Sequence, residues 1–481
     1  MKNYEKYISK SAIEKIHEKS LYILENIGVQ VEHDKACAIL KQHGAQVEGH
    51  LVRLSAEMVD AALALAKPTF DLYSSTLDKP LTVGGGSSLV GPASSNIYIN
   101  DDGYIRKMDD HDVIRQFKLS DTSPVTDFNS INFTVDHTHM SDDQLKYGNM
   151  VTALKYSHKP ACTARPNMFN VPEEQIYSEY KRGIDLFKAF EGIEGNEKIV
   201  HVGLMNTLTP LALHGGQIDM AYAICEAGQA IWLAPCGMPL MTAPASIAGM
   251  MAMTNAEVLM GYVLCKLINP DCAFIYGNTS GSTDMRAVQL TIGTPETALV
   301  CYVTAGLADY YHLPFRTGGG LSDAKDCDIQ AGMESMMMIE ASVDCGADFI
   351  HHGCGTIGAF NVISFEKFLM DEEAYTMARR MQHGVNCEDK LFLMKDIEKT
   401  GPRGTFLSGR TPKTYRQEFF MSKYMNKEDP NQWQNAGSKS VRSVLKEAVE
   451  ARIAAYTAPD ISGDRLKIIE AYLPDSYKES I

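Results

Sequence analysis

Residues 346–360 read GADFIHHGCGTIGAF, two adjacent histidines and a cysteine set among glycines at the end of an apolar run. Side chains of these types can bind a metal, act as base and nucleophile, or hydrogen-bond a ligand. The metal reading finds its best support at His137-x-His139, because alternate residues of a strand point the same way and can share one ion. A barrel metal centre needs further ligands on later strands. The runs CAFIYGN and LPFRTGG hold no histidine, and the chain has neither H-E-x-x-H nor C-x-x-C. His137 and His139 therefore read as hydrogen-bonded histidines, with a metallohydrolase built on them as an alternative of another class. Cys354 lies between Gly353 and Gly355, but a histidine adjacent in sequence does not make a Cys–His pair in space, so a small buried thiol is the plainer reading. The glycine runs at 84–86 and 318–320 lack the Lys-Ser/Thr of a phosphate loop and suit tight turns or close backbone approach.

A different grouping is chemically more coherent. Arg316, at the end of an apolar run, is a fixed cation able to hold a carboxylate through two parallel hydrogen bonds. One histidine of the next unit can add a third bond; strand alternation sends His351 and His352 to opposite sides, so one of them faces the site. Phe360 in the following loop and Tyr98 in an early hairpin offer aromatic faces, which attract quaternary ammonium groups. Together these residues suit a small zwitterion carrying a carboxylate and an alkylated nitrogen. As ordinary core aromatics, Tyr98 and Phe360 would have no such role. Arg165, His201, Asn206 and Asn278 are further polar candidates at the ends of apolar runs.

The elements that must position these residues repeat along the chain. Apolar runs occur at residues 128–136, 160–167, 198–206, 229–237, 272–280, 313–320 and 347–355, most of them followed by a helical stretch. Their spacing of roughly 30 to 45 residues is that of a βα unit, and continuous apolar runs are what buried parallel strands look like. Seven such runs predict an α/β protein built on a (β/α)8 TIM barrel, whose eighth strand has only a weak candidate at 404–407. Polar residues at the carboxyl ends of the strands then share one mouth, where such barrels carry their chemistry. A doubly wound sheet is the structural alternative, but no G-x-G-x-x-G opens a helix after the first strand. The division predicted is an N-terminal helical and β-hairpin extension at 1–110, a barrel core at 111–365, and a charged helical region at 366–481. Within the first part, Ile13, Ile16, Leu21, Leu24 and Ile27 share a helical face before Gly28, and Asp102-Gly103 signals a hairpin.

The 481 residues carry a formal charge of −15, which repels phosphate backbones and anionic lipid and argues against nucleic-acid and membrane partners. The N-terminus, MKNYEKYISKSAIEKIHEKS, has no secretory pattern, and the apolar stretch at 243–265 contains Asn255 and Glu257, as a packed helix does. Eleven scattered cysteines read as reduced thiols, so a cytoplasmic location is expected.

The segments LPFRTGGGLSDAKDCDIQAGMES, GADFIHHGCGTIGAF and GPRGTFLSGRTPKTYRQEFF, with ILENIGVQVEHDKACAILKQHGAQVEG and NDDGYIRKMDDHD, carry a resemblance to a known family. Over nearly the whole chain the sequence resembles the trimethylamine methyltransferase superfamily, in its branch without pyrrolysine. The resemblance implies a barrel that moves a methyl group from a quaternary amine to the cob(I)alamin of a separate corrinoid protein, with no cofactor bound permanently. Members of this branch act on glycine betaine, proline betaine, carnitine or γ-butyrobetaine. In those acting on glycine betaine, the residue types found here as Arg316 and His352 hold the carboxylate, and those found as Tyr98 and Phe360 contact the trimethylammonium. Glycine betaine, giving dimethylglycine, is accordingly the first substrate expected, with the other betaines as alternatives. A betaine-binding protein without catalysis is a further reading. His351 is expected to be structural, Cys354 to be packing, and the protein to be a homo-oligomer.

Overall fold

The computed structural model describes residues 2–129, 131, 140–407, 409, 411–461 and 463–478. Its centre is a parallel sheet of six short strands: β1 (Leu89–Val90), β2 (Val202–Met205), β3 (Ala230–Leu233), β4 (Phe274–Gly277), β5 (Phe315–Gly318) and β6 (Phe349–His351). Their order is β1-β6-β5-β4-β3-β2, so from β2 to β6 each strand lies beside the next in sequence. The register sets Leu233 beside Tyr276, Gly277 beside Arg316, and Gly318 beside His351. Strands β3 to β6 are followed by the helices α1 (Ile247–Ile268), Pro295–Tyr311, α2 (Ile329–Asp344) and α3 (Phe365–Gln382). Five of the seven apolar runs thus form strands of one sheet.

The edge beyond β6 differs from the expectation. Residues 404–407 form no strand and are exposed; β1, from the Gly/Ser-rich N-terminal part, pairs with β6 instead. Around the other two runs, the described residues make backbone bonds to the sheet and to each other without forming a ladder. Asp127 N–H donates to Val90 O (2.7 Å), Asn129 N–H to Pro160 O (3.0 Å), and Val202 N–H to Cys162 O (2.8 Å). What the ladders establish among the described residues is therefore an α/β fold with a six-stranded parallel sheet, rather than eight paired strands.

One side of the sheet carries its own apolar cluster, in which Leu89, Val202, Trp232, Ile275 and Phe349 meet Phe70, Leu72 and Val83 from the hairpin Thr69–Leu72 and Leu81–Gly84. This hairpin covers the amino ends of the strands, where Leu72 bridges Ile199 and Asp348 accepts from Gly86 N–H (2.7 Å). The hairpin thus closes the amino end of the sheet.

Helix α1 passes a length-and-composition test for a membrane span, yet 83% of its most apolar window is buried inside this fold. It lies directly on the sheet, since a Cβ at Gly261 would sit 2.1 Å from Leu233 Cδ2. On its other side, Asn255 Nδ2 donates to Ser20 Oγ (2.8 Å) of the helix Lys10–Tyr22, the element that the periodicity of Ile13 and Ile16 predicts. Gly28, at φ +88°, ends that helical stretch. The hairpin Tyr98–Asp101 and Tyr104–Lys107 turns through Asp102 and Gly103, both at positive φ, and its first strand pairs with Val362–Ile363.

Candidate functional site

At the carboxyl ends of β2 to β6 lies a cavity of about 240 Å³. Period-2 alternation builds its wall: Val202, Leu204 and Asn206 from β2 and beyond, then Trp232, Ala234 and Cys236 from β3 and beyond. Thr279, Arg316, His351, His352, Phe360, Arg165, Thr163 and Ser95 complete most of the rest. Arg316, His352 and Phe360 are thus brought together. Tyr98 is not among the lining residues; its strand lies alongside, with its N–H donating to Asn361 O (3.0 Å). His137 and His139 lie outside the described residues.

Arg316 is 4% exposed. Among the described residues no carboxylate pairs with it, its Nε has no partner, and Nη1 reaches Asn278 O only at 3.5 Å, the outer limit of a hydrogen bond. Burial pushes its pKa down to about 10, partly opposed by the nearby sulfurs of Cys301 and Cys236. Its guanidinium carbon lies 5.3 Å from the centroid of the Trp232 ring. A buried cation without a counter-ion is costly to keep, and an anionic ligand is what would offset it.

From Trp232 a row of rings crosses the cavity. His351 meets Trp232 edge-on at 5.0 Å, His352 meets His351 edge-on at 4.3 Å, and Phe360 lies 4.9 Å from His352. Both imidazoles are neutral at physiological pH. Burial, with Arg316 adding to it, lowers His352 to about 3, while burial, His352 and the two arginines push His351 well below its ordinary value. Among the described residues neither Nδ1 has a hydrogen-bond partner.

Both histidines line the cavity, contrary to the alternation argument. Strand β6 ends at His351, and His352 takes φ +53°, which swings the second ring back to the same side. Ala359 and Phe360 also stand at positive φ, 51° and 75°. Non-glycine residues rarely adopt this region, and it recurs where a site needs side chains aimed against the local grain. His351, expected to be structural, is a wall residue.

The turns that hold these residues are fixed from below by a fully buried ion pair. Lys367 Nζ contacts Asp371 Oδ2 (2.7 Å), Ser335 Oγ (2.9 Å) and Gly320 O (2.9 Å), and Gly355 N–H donates to Asp371 Oδ2 (2.7 Å). The pair thereby ties the loop after β5 to the loop after β6. Close approach explains the glycines here: a Cβ on Gly319 would lie 2.1 Å from the Tyr375 hydroxyl, and one on Gly353 2.4 Å from Val90 Cγ1. Cys354 is buried and its pKa is pushed well above the ordinary thiol value by burial, so it stays protonated and packs.

Of the remaining candidates, Asn206 and Arg165 line the cavity, and Arg165 is a second, half-buried arginine whose pKa is lowered by desolvation. Asn278 supports the wall, donating to Thr254 Oγ1 (3.0 Å). His201 is packed behind it, 3.2 Å from the Tyr180 hydroxyl, and burial lowers it to about 4. Trp232 was readable only as a strand residue, although its period-2 relation to Ala234 and Cys236 could have placed it in the mouth. Ser95, at φ +63° in an irregular segment, had no sequence signal. A second cavity of about 600 Å³ shares Ser95, Arg165 and Asn206 with the first and opens outward past Met168 and Phe169. The group of potential metal ligands among the described residues, Asp109, His111 and Asp112, is elsewhere, at a helix start where Asp109 and Asp112 cap the helix and Arg106 pairs with Asp112.

A family model described as trimethylamine methyltransferase (MTTB) matches residues 2–479. The chain is 36% identical to the proline betaine:corrinoid methyltransferase of Eubacterium limosum, over 99% of this chain and 98% of that one. It is 32% identical to the L-carnitine:corrinoid methyltransferase of the same organism, over 99% and 98%, and 32% identical to the glycine betaine methyltransferase of Desulfitobacterium hafniense, over 98% and 97%. Its fold is similar to the crystal structure of the Methanosarcina barkeri monomethylamine methyltransferase, with a TM-score of 0.50 at 12% identity over 93% of this chain and 94% of that one. With a family model spanning almost every residue and full-length relatives above 30% identity, the chain belongs to the trimethylamine methyltransferase (MTTB) family.

Proposed function

We propose that this chain transfers a methyl group from a betaine to the cob(I)alamin of a separate corrinoid protein. The observation that carries this reading is Arg316, a buried guanidinium without a carboxylate partner among the described residues, facing a row of neutral rings. Arg316 and His352 take the substrate carboxylate, and Phe360 offers its face to the quaternary ammonium. The same ring chemistry extends along Trp232 and His351. Cob(I)alamin supplies the nucleophile that accepts the methyl group.

The chain's own work is orientation. A methyl group on quaternary nitrogen leaves with release of a neutral tertiary amine, so positive charge on nitrogen falls toward the transition state. A carboxylate beside the ammonium would stabilise the reactant more than the transition state, whereas neutral rings avoid that penalty. Fixing the carboxylate end holds one methyl toward the cavity mouth and excludes water around it. Ser95, Arg165 and Asn206, common to both cavities, would face the arriving corrinoid. We also infer that residues 127–129 and 160–162, bridging β1 and β2, complete an eight-membered (β/α) ring around the site.

Glycine betaine, giving dimethylglycine, is the substrate to test first. Proline betaine follows, since its carboxylate also sits one carbon from the ammonium, and carnitine and γ-butyrobetaine place it farther away. Proton NMR of an anaerobic mixture of this protein, a reduced corrinoid protein and each betaine tests the reading. A product one N-methyl poorer, absent with Arg316→Ala, supports it; unchanged substrate in every mixture overturns it.

A further inference from the structure

Arg316, His352 and Phe360 account for a carboxylate and an ammonium, and they leave part of the cavity wall without a task. Trp232 and His351 line the same cavity at 3% and 7% exposure. Trp232 Nε1 and His351 Nδ1 are buried and have no hydrogen-bond partner among the described residues. An indole N–H left unpaired in a buried wall is a standing cost, which a phenylalanine at the same place would not carry. Both rings are hemmed in. Trp232 meets Phe349 edge-on at 5.4 Å and His351 edge-on at 5.0 Å, with the Arg316 guanidinium carbon 5.3 Å from its centroid. His351 in turn meets His352 at 4.3 Å. Rings packed this way have little freedom to turn toward a partner in the protein, so the partner comes with the ligand.

The two orphaned groups define its chemistry. The indole can only donate, whereas a neutral imidazole presents one N–H and one bare nitrogen in either tautomer. A hydroxyl accepts from the first and pairs with either nitrogen of the second. A carbonyl would only accept, an ammonium bearing four alkyl groups forms no N–H bond, and the carboxylate is already held by Arg316 and His352. In the row Trp232, His351, His352, Phe360, this pair stands beside Arg316 and away from Phe360. The hydroxyl therefore belongs on the carbon chain between the two charged ends, nearer the carboxylate.

We propose that Trp232 Nε1 and the His351 ring form a hydroxyl subsite, through which this chain selects betaines hydroxylated between carboxylate and ammonium over their unhydroxylated counterparts. The subsite rests on the betaine reading above and deepens it. L-Carnitine and γ-butyrobetaine are the probes, because they share chain length, carboxylate and ammonium and differ only in that hydroxyl. Titration calorimetry of the full chain with each reads the preference without a corrinoid partner. Carnitine should bind wild type about tenfold more tightly or better, since a site that hydrogen-bonds a hydroxyl rejects the analogue lacking it. Trp232→Phe keeps a ring in the row and removes the N–H, and should bring the ratio of the two affinities close to one. A ratio taken on one protein cancels any general weakening of the site. His351→Phe, which removes the other half, should lower the ratio in the same way, so the test does not hang on one variant. Equal affinities in wild type, or a preference that Trp232→Phe leaves intact, would overturn the subsite while the betaine reading stands. Failure of both probes to bind wild type would also overturn it, and glycine betaine and proline betaine titrated alongside show whether the betaine reading falls with it.

Discussion

Replacing Arg316 with methionine should move stability and binding in opposite directions. At neutral pH the guanidinium is charged in both the folded and the unfolded chain, so the depression from 12.5 to about 10 caused by burial is a full penalty on the folded state. Two and a half pKa units correspond to about 3 kcal/mol. Losing the contact with Trp232 returns about 1 kcal/mol of that, because methionine keeps the stem but not the cation. A net gain of about 2 kcal/mol should raise Tm by about 2 °C in a chain of this length. Betaine affinity should fall by about 3 kcal/mol, a factor of about 150, because the substrate carboxylate would then be buried without its charged partner. Differential scanning calorimetry of the free protein and titration calorimetry with betaine read the two effects separately. The signature is a higher Tm with a weaker Kd. A lower Tm would make Arg316 a structural residue, and an affinity within threefold of wild type would remove it from the site.

Five further outcomes follow from the same geometry. His201 and His352, held at about 4 and about 3 by burial, have folded pKa values below that of the free side chain. The unfolded chain takes up more protons below pH 6.5, so stability should fall as pH drops through that value, by about 2 kcal/mol per histidine at pH 5, and urea midpoints at pH 5 and 7.5 will show it. Betaine affinity by titration calorimetry should be flat from pH 6 to 8, since His352 stays neutral throughout; a step near pH 6.5 would contradict this. Trp232→Leu removes a ring that contacts both Arg316 and His351, and equilibrium titration should show betaine binding weakened about tenfold. Phe360→Ala should weaken binding more than Tyr98→Ala in the same titration, because only Phe360 lines the cavity. Lys367→Ala leaves Asp371 buried and unpaired, and denaturant unfolding should show a loss of about 3 kcal/mol or more.

Much of this arrangement was legible in the residues. The runs ending in MN, APCG, GNTS, RTGGG and HHGCG became β2 to β6, because a buried parallel strand must be apolar on both faces and that requirement shows in the chain. Arg316, His352 and Phe360 were identified from charge and aromaticity at strand ends and in the following loop, aided by the family resemblance, and they share one cavity. What escaped depended on backbone conformation or on long-range pairing. His351 joins the wall because His352 adopts a left-handed φ, which no side-chain pattern announces. Strand β1 is two residues long, and its strand character comes from pairing with β6, some 260 positions away, rather than from local preference. Tyr98 fell where a hairpin was predicted, yet hairpin register does not say how near the strand lies to a cavity formed by other elements.

The central claim is methyl transfer from a carboxylated quaternary amine, and the most direct measurement is the absorbance of cob(I)alamin on a reduced, methylatable corrinoid protein. Glycine betaine, proline betaine, carnitine, γ-butyrobetaine and trimethylamine are each added anaerobically with this protein. Loss of the cobalt(I) band with at least one betaine, dependent on this protein and absent with trimethylamine, is the result predicted. An unchanged band with every betaine, or loss with trimethylamine alone, would contradict it.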